Sequence, residues 1–185
     1  MSELIALVAG PTDKSKIFRF GSVIELEYGS FLEERGRVLA DHVFQINIIP
    51  DEGVPLDIAR HYKKAGGNLV VGFVPKGEYS FLSRYFSDCD RIEEFDAGWS
   101  GLNTCLSLKG DLVVAFGLSP GTIVEIAYTK FHNKYLDRPI PVLIDGVATR
   151  SNLPLELLDE VQPSYFSTPG ELSSLLRDLR SRVKR

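Results

Sequence analysis

Three short stretches of the chain are almost wholly apolar, and each is closed by glycine or proline. Residues 4–9 run into Gly10 and Pro11, residues 69–74 into Pro75, and residues 112–116 into Gly117. A strand with one wet face alternates apolar and polar residues. A run without alternation has to be covered on both faces, as strands of a parallel sheet are. Residues 43–49 and 139–144 read as further strands, the latter with its prolines confined to one end, and 91–95 as a short one.

Helix signals separate these strands. Within 55–65, Ile58, Tyr62 and Ala65 share a face, and Gly66 and Gly67 stop the segment. Ser119 and Pro120 open a helix carrying Ile123, Ile126, Ala127 and Phe131. Thr168 and Glu171 form a capping box around Pro169, and Leu172, Leu175, Leu176, Leu179 and Val183 then fall on one stripe. This predicts a C-terminal helix of about 169–184. Near the N-terminus, 12–19 reads as a polar loop. Ser22 with Glu25 reads as a capping box, Ile24, Tyr28, Phe31 and Leu32 as a helical face, and Gly36 as its stop. Short helices are expected around Phe81, Leu82, Tyr85 and Phe86, and around Leu102, Cys105, Leu106 and Leu108; 146–167 reads as Pro-rich and irregular. Strands alternating with helices predict an α/β fold: a Rossmann-like three-layer sandwich, its sheet mostly parallel and covered by helices on both faces. At 185 residues the chain is expected to form a single domain over 1–185.

Composition narrows the partners. Lys and Arg total 21 and Asp and Glu 25, a formal charge of −4, which argues against a nucleic-acid-coating surface. The basic end, Arg177, Arg180, Arg182, Lys184 and Arg185, includes Asp178 and reads as a solvated helix C-terminus. Cys89 and Cys105 form no CxxC pair, and His42, His61 and His132 have no metal-ligand spacing, so no metal is expected. There is no basic start with an apolar h-region and no run of 18 apolar residues, so the expected setting is cytoplasmic and away from membranes.

Ligands of open parallel sheets bind beyond the carboxyl ends of the strands. Three turns there carry the candidate residues: Gly10, Pro11 and Thr12; Asp51, Glu52 and Gly53; and Gly117, Leu118, Ser119, Gly121 and Thr122. The third opens a helix with small residues, which exposes backbone N–H groups at the positive end of the helix dipole and predicts a phosphate site. Glu125, one turn on, would point into the same crevice and could hold a ribose hydroxyl or act as nucleophile or base at a glycosidic carbon. Lys14 and Ser15 have the Lys-Ser of a P-loop, but Asp13 stands where glycine is required.

On these residues the chain resembles the SLOG superfamily, which includes the LOG phosphoribohydrolases and the molybdenum-cofactor carrier proteins. Residues 64–75, with Gly66, Gly67, Gly72 and Pro75, resemble its "A…GG…viGi.P" segment; residues 111–125, with Gly121, Thr122 and Glu125, resemble "aDaviallPGGxGTxxE". The tail from Thr168 resembles the closing "tpeEav" helix, so the likeness covers about residues 4–180. Three features depart from the family: Leu118 and Ser119 replace the paired glycines before Gly-Thr, residues 50–54 replace a Gly-rich turn, and Leu102 stands where phosphoribohydrolases place an arginine near the ribose. Residues 6–11 and 121–127 also resemble the "yLAGP" and "GTawEiGyA" segments of nucleoside deoxyribosyltransferases, whose Glu is the nucleophile.

The resemblance implies a protein that binds a nucleotide or other phosphate-containing small molecule, with Trp99 and Asn103 at a base or sugar, and assembly as a homodimer or higher homo-oligomer. The alternatives are an N-glycosidic hydrolase or transferase using Glu125, and a non-catalytic scaffold that has lost the ligand site.

Overall fold

The computed structural model describes residues 3–77, 80–135, 139–149 and 151–183. Lys184 and Arg185, and the side chain of Val183, lie outside what is described. Seven strands form one sheet: β1 (Ile5–Ala9), β2 (Gln45–Ile48), β3 (Leu69–Pro75), β4 (Arg91–Phe95), β5 (Leu112–Ala115), β6 (Val142–Asp145) and β7 (Ser164–Phe166). Their spatial order is β4-β3-β2-β1-β5-β6-β7, and every neighbouring pair is parallel. The chain winds outward one way from β1 to β4, then returns to β5 beside β1 and winds the other way. The point of reversal lies between β1 and β5.

The apolar runs serve both faces at once, as their lack of alternation requires. Ala6 and Val8 of β1, Val70 of β3 and Val114 of β5 enter one core with Ile17, Leu39, Ile58, Tyr62 and Leu176. Leu7 and Ala9, Val71 and Phe73, and Val113 and Ala115 enter the other with Leu102, Leu106, Ile126 and Leu153. Helices α1 (Ser15–Phe20), α2 (Tyr28–His42), α3 (Val54–Lys64) and α7 (Pro169–Val183) cover the first face. Helices α4 (Gly98–Cys105), α5 (Pro120–Asn133) and α6 (Leu155–Val161) cover the second. The capping box of α7 forms as expected: Thr168 Oγ1 accepts from Glu171 N at 3.2 Å, and Glu171 Oε2 accepts from Thr168 N at 3.2 Å.

Several local expectations are corrected. The polar stretch 12–19 contains α1, because Ile17 is buried and anchors one turn against the sheet. Ser22 caps no helix. Its N–H instead donates to Val147 O at 2.7 Å, Ile24 and Leu26 are exposed, and α2 begins only at Tyr28. The 81–86 pattern forms a 3-10 turn, Ser83–Asp88, and the 102–108 pattern splits into α4 and a 3-10 turn, Leu106–Lys109. The Pro-rich segment 146–167 contains α6 and β7, both too short to show a period.

Gly36 does not stop a helix; it lies inside α2 where α3 crosses. A Cβ at Gly36 would stand 2.7 Å from His61 Cβ and 2.8 Å from Tyr62 N. Backbone cannot yield to that contact. Gly36→Ala is therefore expected to destabilise the protein by about 1–3 kcal/mol, despite alanine's ~1 kcal/mol helix advantage. A urea titration of the two proteins checks this, and an unchanged or raised midpoint would refute the close-approach account.

Candidate functional site

The carboxyl ends of β1, β2 and β5 open into a crevice of about 270 Å³. Ten of the sequence candidates line it: Gly10 and Thr12, Asp51 and Glu52, Trp99 and Asn103, and Ser119, Gly121, Thr122 and Glu125. Gly10 has a steric reason to be glycine, since a Cβ there would meet Phe116 O at 2.9 Å. Asp51 is braced by its own loop: its N–H donates to Ile49 O at 2.8 Å and its Oδ1 accepts from Glu52 N at 2.7 Å. Trp99 stacks on Phe81, ring centroids 5.9 Å apart and planes 27° apart.

Four candidates do not line the crevice. Pro11 is buried, and its carbonyl accepts from Val54 N at 3.0 Å. Gly53 holds φ +106°, and a Cβ there would collide with Thr12 O and Pro11 O. Gly117 holds φ +93°, with a would-be Cβ 2.7 Å from Ile17 Cγ2. Both glycines occupy backbone that a side chain would strain. Leu118 faces a neighbouring cavity. Leu102, at the position of the family's arginine, is fully buried in the second core.

The third turn does less for an anion than its sequence predicts. Ser119 Oγ accepts from Thr122 N at 3.2 Å and lies 2.9 Å from Thr122 Oγ1, so both hydroxyls satisfy each other and the helix. Ile123 N donates to Ser119 O at 2.9 Å, and Pro120 has no N–H. Of residues 120–123, Gly121 alone keeps an amide not engaged by the turn itself. The positive charge among the described residues lining the crevice is instead the Lys16 side chain, carried by α1. Sequence reading missed Lys16 because the 12–19 stretch looked like a loop; a helix there turns this side chain toward β5.

Glu125 is 6 % exposed, and among the described residues burial alone, with no hydrogen bond or charge beside it, acts on its carboxylate. Burial pushes its pKa up from 4.5 to about 8, so the side chain is neutral at neutral pH. Protonated, this carboxyl donates a hydrogen bond or a proton; ionised, its raised pKa suits the base that the sequence predicts. Asp51 and Glu52 complete a crevice with more acceptors than cations. Among the described residues no group of His, Cys, Asp and Glu could hold a metal ion, and no helix is long and apolar enough to cross a membrane.

An all-parallel sheet in this order, with helices on both faces and a crevice over its centre, is the Rossmann-like α/β fold that the sequence predicts. Neither a protein-family profile nor a curated protein sequence matches the chain. Solved structures do. The molybdenum cofactor carrier protein of Chlamydomonas reinhardtii superposes with a TM-score of 0.70 at 21% identity, covering 97% of this chain and 99% of that one. The molybdenum cofactor binding protein of the phototrophic bacterium Rippkaea orientalis gives 0.66 at 21%, covering 97% and 98%. DNA processing protein A of Helicobacter pylori gives 0.59 at 14%, covering 96% of this chain and 82% of that one. At these identities the likeness defines the fold.

Proposed function

We propose that this chain is a small-ligand-binding protein of the SLOG type whose ligand is a nucleotide or a nucleotide-like phosphate compound. One observation carries the reading: an aromatic ring, an amide, two accessible carboxylates and one lysine converge on a single crevice at the carboxyl ends of the strands. Trp99 and Asn103 suit a flat heterocycle with hydrogen-bonding edges. Asp51 and Glu52 accept from ribose hydroxyls or ring amines. Lys16, Thr12 and the Gly121 N–H suit a phosphate. Two of the fold relatives are likewise named for a small-molecule cofactor, the molybdenum cofactor.

Thermal unfolding in millimolar nucleoside monophosphates, with inorganic phosphate as control, tests the reading. Stabilisation by at least one nucleotide beyond phosphate alone is expected. Lys16→Ala and Trp99→Ala should each weaken that ligand by roughly tenfold, about 1.4 kcal/mol. No shift with any nucleotide would overturn it.

A second reading, cleavage of an N-glycosidic bond, is favoured by the buried Glu125, which below about pH 8 is poised as a general acid. The binding reading expects no free base when the protein is incubated with nucleoside monophosphates. Base release that disappears in Glu125→Gln would replace binding with catalysis.

A further inference from the structure

The crevice is small, with room for a single nucleotide and little more. At about 270 Å³ it falls below the ~300–1,000 Å³ of typical small-molecule sites. A second cavity of about 510 Å³ adjoins it, and the two share Lys16, Ser119 and Pro120. They lie on either side of the α5 start: the crevice over the β1–β5 reversal point, where ligands of open α/β sheets bind, and the second cavity beside it, between α1 and the turns that follow β5 and β6.

The two halves differ in chemistry. The crevice carries Asp51, Glu52 and Glu125. Among the described residues the second cavity has no carboxylate in its lining. Its walls are apolar, from Ile17, Phe20, Leu118, Ile123 and Leu153, and its charges among the described residues are Lys16 and Arg19. Neither cation makes an ion pair among the described residues, although Arg19 lies over the Phe20 ring with its guanidinium 5.2 Å from the centroid. Thr149, Ser151 and Asn152 supply a polar rim. Phe20 is 53 % exposed, an apolar ring left open to water at the mouth of a cavity.

We propose that the two cavities form one bipartite site for a dinucleotide, two nucleoside ends joined by a phosphate bridge that crosses the Ser119–Pro120 corner beside Lys16. One nucleoside occupies the crevice, its hydroxyls and ring amines facing Asp51 and Glu52. The other places its heterocycle between the apolar walls of the second cavity, and Arg19 and Lys16 bracket the bridging phosphates. The single free amide of the α5 start does not defeat this arrangement, because two flexible cations replace a backbone cradle. The inference rests on the nucleotide-binding reading above and adds the second half of the ligand.

Calorimetric titration of the four nucleoside monophosphates against the four symmetric dinucleoside 5′,5′-diphosphates, same base at both ends, tests it. For the preferred base, the dinucleotide should bind at least about tenfold tighter than its monophosphate. Ile123→Trp, which fills the second cavity, and Arg19→Glu, which reverses its charge, should each remove that advantage and leave monophosphate affinity within about twofold. Circular dichroism and the unchanged monophosphate affinity report that both variants fold. Equal affinity for the two ligand types would overturn the bipartite site and leave the nucleotide reading standing. A dinucleotide advantage that survives both variants would also overturn it. Binding of neither ligand type would overturn both readings together.

Discussion

Glu125→Gln is expected to make the protein more stable near neutral pH, by about 3 kcal/mol at pH 7, and to abolish most of its alkaline destabilisation. Glu125 has a folded pKa of about 8 against 4.5 when unfolded, with burial as the cause. Between those values the folded state holds a proton that the unfolded state has released. Stability from this group is therefore complete below about pH 4.5 and is lost progressively as pH rises, until the folded carboxyl itself ionises at about 8. Glutamine presents the same shape without the proton equilibrium. Urea unfolding of both proteins near pH 5 and near pH 9 measures the effect. The variant should be close to the parent at the acid end and clearly more stable at the alkaline end. A parent whose stability rises between those pH values would show that Glu125 is ionised and partnered in the folded state.

Arg35→Met should be the most damaging single change outside the apolar core, costing about 3–5 kcal/mol. At ~2–4 °C per kcal/mol for a domain of this size, the melting temperature should fall by on the order of 10 °C. Arg35 and Asp145 form an ion pair almost free of solvent: Arg35 Nε donates to Asp145 Oδ2 at 2.9 Å. The guanidinium also lies 4.1 Å from the Phe31 ring centroid and donates through Nη2 to Ser167 O at 3.3 Å. Removing it strands a carboxylate at the end of β6, and an unpaired buried charge is far costlier than a surface pair is valuable. Arg35→Met with Asp145→Asn, which removes both charges, should recover most of the loss. A single-variant loss below about 1 kcal/mol would show that the pair contributes no more than an exposed one. The change should also reach the ligand site. Asp145 Oδ1 accepts from Val147 N at 2.8 Å and Ala148 N at 3.2 Å, and that turn forms one wall of the second cavity.

The sheet was legible in the sequence because a strand buried on both faces leaves no polar residue in its run. Residues 4–9, 69–74 and 112–116 could be little else, and they carry the centre of the fold. Elements anchored by one or two residues were not legible. α1 rests on Ile17, and β7 on Phe166, so neither generates a period. Gly36 misled for the opposite reason. Its local propensity signals a stop, but a tertiary crossing with α3 decides the position. The same division runs through the site. Backbone placement put the three turns around one crevice, as their positions after apolar runs implied. Which groups stay free could not be read: whether the Ser119 hydroxyl turns outward or caps its own helix depends on a hydrogen bond to Thr122. Lys16 entered the site only once the segment carrying it became a helix.

The order of the strands also constrains how copies of the chain can meet. An open sheet ends in two edges whose unpaired amides and carbonyls invite another strand, the route by which many β-rich proteins aggregate. Here one edge is β4, with Arg91, Glu93 and Glu94 among its five residues, and the other is β7, only three residues long. The first repels a flat hydrophobic partner and the second is too short to template one. Growth of the sheet across a molecular boundary is thereby discouraged at both ends.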